Sequence, residues 1–255
     1  GNTLTEIAYQ KAGIIKKNTP AVIGELLPQT MQVFIKEANE KEAPLYFAQS
    51  RFSTEYLEPT GNLLFCHVKD VKTNSFEKLR LDLNGLYQSR NICTVLMTVE
   101  LLRKQGFQIP ENNLQDALQQ VKKLTGLRGR WDIIREHPAV ILDVAHNTGG
   151  IKEVLHQLQH SYAHSAIHFV LGFVKDKDVP HVLDLFPTNA KYYFTNAHIP
   201  RALPFKELQQ MAIGKGLKGE GYDDVNDAIA EAKKDAGKNG VVMVCGSFFI
   251  IGEIE

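Results

Sequence analysis

The segment from Leu127 to Gly150 constrains the fold most, because it predicts a strand that leads directly into a helix. Its sequence, LRGRWDIIREHPAVILDVAHNTGG, holds a short apolar run over 139–142, then polar residues, two glycines and a helical pattern. An apolar run of this length beside turn residues predicts a buried strand. In an open α/β sheet, ligands bind just beyond the carboxyl ends of the strands. The candidate binding residues are therefore Asp143, His146 and Asn147.

These residues and their neighbours offer distinct chemistry. Asp143 can accept from ribose hydroxyls or an amine, His146 can donate to a phosphate or carboxylate, and Arg130 can clamp either anion with two hydrogen bonds. The glycine pair at 149–150 allows close backbone approach, and the N–H groups of the following helix favour an anion. From these residues alone, an equally good interpretation is structural: Asp143 and Asn147 cap the helix, and His146 fills the turn.

Strands and helices alternate through the second half of the chain. Strands are predicted over 167–172, 191–195 and 241–245 in addition to 139–142, and helices from about 150 to 162 and over 179–186, 205–213 and 224–234. This alternation predicts an α/β fold, with a parallel or mostly parallel sheet covered by helices on both faces.

The first half predicts a smaller mixed domain. A helix with capping potential at Asn2 and Thr3 ends at Gly13, and a long helix follows the glycine at 85. The last two of the short strands should form an antiparallel meander, because they alternate and lack a crossover helix. Strands are predicted over 21–24, 45–48, 62–68 and 76–83, helices over 29–42 and 113–124, and a domain boundary at 125–126.

Composition excludes several classes of protein. The chain has 29 basic and 29 acidic residues, so nothing favours binding to nucleic acid or a membrane surface. Three cysteines without metal-ligand spacing favour a reducing compartment. The longest apolar run, over 241–251, is too short to span a bilayer. We expect a cytoplasmic, monomeric protein that binds small molecules.

Histidines at 156, 160, 164 and 168 recur every fourth residue, which on one helix would form a metal-binding stripe. The helix should end near Tyr162, however, and 167–171 predicts a strand. We therefore expect the four side chains not to share a face.

Two motifs carry a family resemblance. GRW at 129–131 and DVAHN at 143–147 resemble motifs of the folylpolyglutamate synthase and dihydrofolate synthase family, within the Mur ligase superfamily of ATP-dependent amide ligases. Thr148 stands where the family usually has proline. LGFVKDKDV, NAHIPRAL and VCGSFFIIGE resemble further segments of the same carboxy-terminal domain. Within them we expect Asp176, Lys177 and Arg201 to order loops or form interdomain salt bridges.

The amino-terminal segment TLTEIAYQKAGIIKKNTP resembles another family motif. In the family, the lysine before A-G-I is carbamylated, and its new carboxylate holds Mg²⁺. The resemblance therefore makes Lys11 the candidate metal ligand, because carbamylation turns a repelling cation into a hard oxygen donor. By residue statistics alone, Lys11 is a solvated helix lysine. Gln10 replaces the usual glutamate, which is not needed as a ligand.

The segment GLYQSRN resembles the superfamily motif G-x-H-N-x-x-N, whose last asparagine hydrogen-bonds adenine. The resemblance assigns this role to Asn91, because an amide both donates to and accepts from a purine edge. Gln88 is a weaker candidate for the same pocket, and Tyr87 is expected to pack.

The resemblance also implies an architecture and a reaction. Residues 1–126 would be the carboxy-terminal part of a central ATPase domain, and 127–255 a Rossmann-like carboxy-terminal domain. ATP would activate the carboxylate of dihydropteroate or a folate as an acyl phosphate, which L-glutamate then attacks, with Mg²⁺ neutralising charge. Arg130 would contact the ATP phosphates, Asp143 the ribose, and His146 the region between nucleotide and glutamate. Because Asn91 belongs to the other domain, ATP would bridge the two and favour closure.

Other expectations remain open beside this one. Ser247 would hold the incoming glutamate, or would simply cap a helix. The string G-x-x-x-x-G-K-[ST] of a phosphate-binding loop does not occur in the sequence, so we expect a fragment that is inactive by itself. The alternatives are a Mur enzyme of peptidoglycan synthesis, which the D-A-H-N string disfavours, and a noncatalytic α/β module that binds a nucleotide or amino acid at Asp143.

Overall fold

The computed structural model describes residues 3–60 and 63–255. The chain forms two compact units, the first of Gly1–Asp82 with Leu86–Val121 and the second of Leu83–Gly85 with Lys122–Glu255. Within the described residues, no helix is both long and apolar enough to cross a membrane.

Helix α1 of the first unit begins with a reciprocal cap. The Thr3 hydroxyl accepts from Glu6 N, and the Glu6 carboxylate accepts from Thr3 N. The predicted cap is thus confirmed at Thr3, while Asn2 lies outside the described residues. The helices of this unit are α1 (Leu4–Ala12), α2 (Pro28–Glu40), α3 (Gln88–Lys104) and α4 (Glu111–Leu118), and α5 (Val121–Thr125) follows at the passage to the second unit.

The single helix predicted over 113–124 was wrong. The chain forms α4 and α5 instead, and α4 ends at Leu118. The carbonyl of Leu118 accepts from Asp82 N at 3.1 Å, so this carbonyl bonds to a distant part of the chain instead of continuing the helix.

The first unit contains two sheets. A two-stranded parallel sheet pairs β1 (Ala21–Ile23) with β2 (Leu45–Phe47). An antiparallel sheet has the order β3 (Phe52–Thr60), β4 (Leu63–Asp70) and β5 (Ser75–Leu81). The predicted meander is confirmed for β4 and β5, although Asn62, the predicted first residue, lies outside the described residues. Strand β3 was missed.

Alternate residues of β4 are buried and pack against α3, which sets the position of this helix. Leu64, Cys66 and Val68 are buried and share a core with Ile92 and other residues of α3. This packing fixes the helix whose first turn carries the two amides named as adenine candidates.

The second unit is built on a six-stranded sheet. The strands are β6 (Asp132–Glu136), β7 (Ala139–Leu142), β8 (Ile167–Leu171), β9 (Lys191–Phe194), β10 (Gly219–Gly221) and β11 (Val241–Cys245). Their order is β10-β9-β8-β11-β7-β6, and each pair is parallel except β6 with β7. The α/β prediction with a mostly parallel sheet is confirmed. Strands β6 and β10 were not predicted.

Helices cover both faces of this sheet, as predicted. Ile141 belongs to one core cluster with residues of the three helices that follow β7, β8 and β9. Val140 and Leu142 belong to a second cluster with residues of the last two helices of the chain. Alternate residues of a strand point to opposite faces, so each face has its own core. The helices are α6 (Thr148–Ser161), α7 (Val179–Leu183), α8 (Phe205–Gly214), α9 (Val225–Ala236) and α10 (Phe248–Gly252).

The histidine series is split between elements. Helix α6 ends at Ser161 and β8 begins at Ile167, so His156 and His160 lie on a helix and His168 on a strand. The expectation that the four side chains do not share a face is confirmed.

Candidate functional site

The candidate site lies at the carboxyl edge of the second unit's sheet. The segments after β7, β8, β9 and β11 each carry one of the sequence motifs, and GRW lies directly before β6. Because these strands are mutually parallel, their carboxyl ends meet at one edge, which is where open α/β sheets bind ligands.

Asp143, the first residue after β7, is buried and engaged by the backbone. The residue is only 3% exposed. One carboxylate oxygen accepts from Ala145 N at 2.9 Å, and the other accepts from Trp131 N at 2.9 Å. The carboxylate therefore joins the loop after β7 to the turn before β6. Contact with a ribose stays a prediction.

The turn from Gly129 to Trp131 is strained and tightly held. Gly129 has φ +73° and Trp131 has φ +50°, a region that bulky residues rarely adopt. A Cβ at position 129 would lie 2.8 Å from Cγ1 of Val144 and 3.0 Å from Cγ2 of Ile251. The Gly129 carbonyl accepts from Val144 N at 2.9 Å. Glycine is therefore required here both for its conformation and for close approach.

Arg130 lies between these two constrained residues. The residue is half-buried, and its Nη1 donates to the Gly129 carbonyl at 3.3 Å. A guanidinium carries five N–H donors in a planar fork, so this contact leaves capacity for a phosphate or carboxylate. The structure thus presents Arg130 from a turn whose backbone is fixed on both sides.

His146 has a defined tautomer. Its Nδ1 lies 2.9 Å from the Val144 carbonyl, and a carbonyl can only accept. Nδ1 therefore carries the hydrogen, which leaves Nε2 as an acceptor in the neutral ring. The half-buried ring can meet a donor from a ligand at this nitrogen.

Two predicted caps are confirmed. The Asn147 side chain accepts from Gly150 N at 2.8 Å and caps α6. The Ser247 hydroxyl, in a buried residue, accepts from Ile250 N at 3.3 Å and caps α10. The capping interpretation of Ser247 therefore holds, and a contact with glutamate stays a prediction.

Asp176 and Arg201 order two loops of the same edge. Arg201 Nη2 donates to both Asp176 oxygens, at 3.0 and 2.9 Å, and its guanidinium lies 5.6 Å from the Phe249 ring centroid. This guanidinium lowers the pKa of the Asp176 carboxyl. The predicted loop-ordering role is confirmed, with the ion pair inside the second unit.

In the first unit, Asn91 and Gln88 meet on the first turns of α3. Asn91 Nδ2 donates to Gln88 Oε1 at 2.8 Å; Gln88 is buried, and Asn91 is exposed. The two residues predicted to share a pocket are therefore adjacent, and their contact with adenine stays a prediction.

Lys11 lies in the last turn of α1 and is exposed. It borders a largely apolar cavity of about 800 Å³ whose lining also includes Ile7 and Ile14. Residues 3–60 and 63–255 contain no group of three or more His, Cys, Asp or Glu side chains that could hold a metal ion. Carbamylation and metal binding at Lys11 stay predictions.

Trp131 and Asp132 were not singled out from the sequence. Trp131 is buried in the core of the second unit. Asp132, also buried, accepts from Lys122 Nζ at 2.8 Å and from Gly129 N at 3.4 Å. The signal that points to them is their position directly after a Gly-Arg turn, where an aromatic and a carboxylate can anchor the backbone.

Comparison with known proteins agrees with this geometry. Residues 129–248, which contain the turn, the loop after β7 and the start of α10, match the family model described as Mur ligase, glutamate ligase domain. This segment is similar to a Mur ligase glutamate ligase domain. The family resemblance drawn from the GRW and DVAHN motifs is confirmed.

Curated relatives extend the similarity from residues 129–248 to the whole chain. The chain is 33% identical over 261 residues to the dihydrofolate synthase/folylpolyglutamate synthase of Bacillus subtilis (strain 168), covering 100% of this chain and 58% of that one. It is 26% identical to the Escherichia coli (strain K12) protein of the same name, covering 97% and 54%. The chain thus spans somewhat more than half the length of these relatives.

Solved structures share the fold. Folylpolyglutamate synthase of Mycobacterium tuberculosis complexed with ADP aligns with TM-score 0.82 and 24% identity, over 99% of this chain and 58% of that one. FolC of Escherichia coli in complex with DHPP and ADP aligns with TM-score 0.77 and 26% identity, over 98% and 56%.

Proposed function

We propose that this protein provides the glutamate ligase domain and part of the ATP-binding domain of an ATP-dependent ligase. In this proposal the ligase joins L-glutamate to dihydropteroate, to a folate, or to both. Residues 127–255 are assigned to the glutamate ligase domain and 1–126 to the ATP-binding domain. The observation that carries the proposal is the fixed Arg130 turn, which bonds through Trp131 and Gly129 to the loop that carries His146, within the segment that matches the Mur ligase model. Relatives named for this activity support it.

The residues of the second unit fit a nucleotide phosphate. Arg130 offers a planar fork for phosphate oxygens, and its backbone is held through Trp131 N and the Gly129 carbonyl. When ATP binds, it supplies the phosphoryl group that converts a substrate carboxylate into an acyl phosphate. Arg130 offsets the phosphate charge, and contact of Asp143 with the ribose remains part of the proposal. ADP is a ligand of two of the solved relatives.

His146 and Ser247 are proposed to meet the amino acid. With Nδ1–H held by the Val144 carbonyl, Nε2 can accept from the ammonium of L-glutamate and orient its nitrogen toward the activated carboxylate. Ser247 is proposed to meet the glutamate carboxylate, although its hydroxyl already accepts from Ile250 N.

In the first unit, we assign Asn91 and Gln88 to adenine and Lys11 to Mg²⁺. The contact between the two amides orients Asn91 for a purine edge. The exposed Lys11 amine is accessible to carbon dioxide, and the resulting carboxylate would supply one oxygen donor to the metal. The monomeric state and the inactivity of the 255 residues by themselves are also parts of this proposal.

A substrate panel tests the proposal. The gene product that contains this chain is assayed for L-glutamate incorporation with ATP, Mg²⁺ and one acceptor at a time: dihydropteroate, tetrahydrofolate or a UDP-linked muramyl peptide. We expect incorporation with at least one of the first two acceptors. Incorporation with the muramyl peptide alone would contradict the proposal and favour a Mur enzyme of peptidoglycan synthesis.

A further inference from the structure

Trp131 combines two features that rarely occur together. Its backbone has φ +50°, a left-handed conformation that is unfavourable for a bulky side chain. Its indole is only 2% exposed and packs in the main core of the second unit. Such a conformation persists only where surrounding contacts impose it. The contacts of Trp131 therefore show which groups hold its backbone in this conformation.

Asp143 supplies the polar contact that imposes this conformation. One carboxylate oxygen accepts from Trp131 N at 2.9 Å, and the other accepts from Ala145 N at 2.9 Å. The Asp143 backbone is itself fixed, since its N–H donates to the Val244 carbonyl at 3.0 Å. The carboxylate thus ties the Trp131 amide to the rigid carboxyl edge of the sheet.

The other end of the turn is held by neighbouring groups. Val144 N donates to the Gly129 carbonyl at 2.9 Å, and Asp132 accepts from Gly129 N at 3.4 Å. Asp132 is in turn paired with Lys122. Arg130 therefore lies between Gly129 and Trp131, whose backbones are both bonded to the loop after β7.

We propose that Asp143 is a positioning residue, which fixes the direction of the Arg130 guanidinium by holding the Trp131 amide. A carboxylate suits this task because both of its oxygens accept, and it faces two backbone N–H donors. An asparagine offers one acceptor, and its NH₂ group would face one of these donors. We call the two hydrogen bonds that Asp143 accepts, from Trp131 N and Ala145 N, the clamp. The clamp lies within the second unit, and only its consequence for ligand binding rests on the proposed function.

The chain offers a direct probe, because Trp131 is its only tryptophan. We compare Asp143→Asn with the parent protein by acrylamide quenching of tryptophan fluorescence, and follow the fold by far-ultraviolet circular dichroism. Release of the amide should raise the quenching constant about twofold or more, since a buried group gains solvent access when local contacts open. The matched control is Asp235→Asn, whose carboxylate binds Lys191 and Tyr193; quenching should stay unchanged.

Hydrogen exchange of the parent protein keeps the proposal testable if Asp143→Asn does not fold. The Trp131 amide should exchange at the slow rate of the buried strands, because its acceptor is a buried carboxylate. Fast exchange of this amide, or unchanged quenching in a folded Asp143→Asn protein, would overturn the inference.

Titration of the gene product that contains this chain with ATP separates the clamp from the proposed function. Asp143→Asn should weaken ATP binding about tenfold, as expected when one charge-assisted hydrogen bond is misplaced, and should also alter Trp131 quenching. Arg130→Ala should weaken ATP binding while Trp131 quenching stays unchanged. If the gene product that contains this chain does not bind ATP but the quenching results hold, the clamp stands and the proposed function fails. Weaker ATP binding with unaltered Trp131 would leave only the proposed direct contact of Asp143 with the ribose and would overturn the positioning role.

Discussion

On strands β8 and β9, His168 and Tyr193 form a chain of hydrogen bonds with Asp235. The Tyr193 hydroxyl donates to Asp235 Oδ2 at 2.6 Å, so its oxygen is free to accept from His168 Nδ1, which lies 3.0 Å away. Burial lowers the pKa of His168, and this effect outweighs the opposing influence of Asp235. The native state therefore favours a neutral imidazole.

This arrangement predicts a pH dependence of stability. Below the ordinary histidine pKa of about 6.5, the unfolded chain binds a proton at this site that the native state resists. Stability should therefore fall as the pH drops from that value toward the native pKa of His168, with a slope of at most about 1.4 kcal/mol per pH unit. The measurement is the free energy of unfolding in urea from pH 7.5 to 5.

His168→Gln is the variant that isolates this effect, because it keeps a side-chain donor and cannot titrate. His181 and His198 act in the opposite sense, since Asp178 and Glu253 raise their pKa values, but they are common to both proteins. An identical pH dependence in the parent and the variant would contradict the prediction.

Gly129 offers a matched pair of substitutions. Gly129→Ala combines the cost of φ +73° with close contacts to Val144 and Ile251, whereas Gly126→Ala has φ +68° and nothing within 4 Å of the added Cβ. We expect Gly126→Ala to lose about 1 kcal/mol and Gly129→Ala about 2–4 kcal/mol. Urea unfolding followed by Trp131 fluorescence measures both, and equal losses would argue against the crowded turn.

Among the secondary structure elements, the sequence predicted best those with the strongest burial. Strands β7 and β11 were predicted with their observed bounds, because every residue in each is apolar and buried. Strand β3 was missed because its glutamates and proline weaken the strand pattern. Strand β6 was missed because its arginine, aspartate and glutamate leave only two apolar residues.

The candidate site shows a similar division between local and distant contacts. The caps at Asn147 and Ser247 were predictable, because each bonds to an amide three residues ahead. The contact between Asp143 and Trp131 joins two loops across a sequence separation of 12 residues, and nothing in the local pattern specifies it. The left-handed conformation of Trp131 was likewise unpredictable, since bulky residues disfavour it.

The cap of α6 gives a prediction for a single helix. Asn147→Ala should destabilise the second unit by about 1 kcal/mol, because Gly150 N loses its side-chain acceptor. Asn147→Asp should retain stability, since it keeps an acceptor and adds a negative charge at a helix N-terminus. Thermal unfolding followed by Trp131 fluorescence compares the two; equal stability of Asn147→Ala and the parent protein would show that the cap does not contribute.

The protein as a whole contains two units, each with cores of its own. It spans somewhat more than half of the curated relatives it matches. In the second unit, the sheet provides a rigid edge from which Arg130, His146 and Ser247 are presented. We therefore propose that the order of this edge, more than any one contact, determines how the ligase meets phosphate and amino acid.

The most direct test is glutamate addition by the gene product that contains this chain, compared between the parent protein and Arg130→Ala. The matched control is Arg135→Ala, an exposed arginine of β6 that donates to the His137 carbonyl. We expect Arg130→Ala to lower the rate of ATP-dependent glutamate addition about 100-fold and Arg135→Ala to leave it unchanged. An unchanged rate in Arg130→Ala would contradict the account.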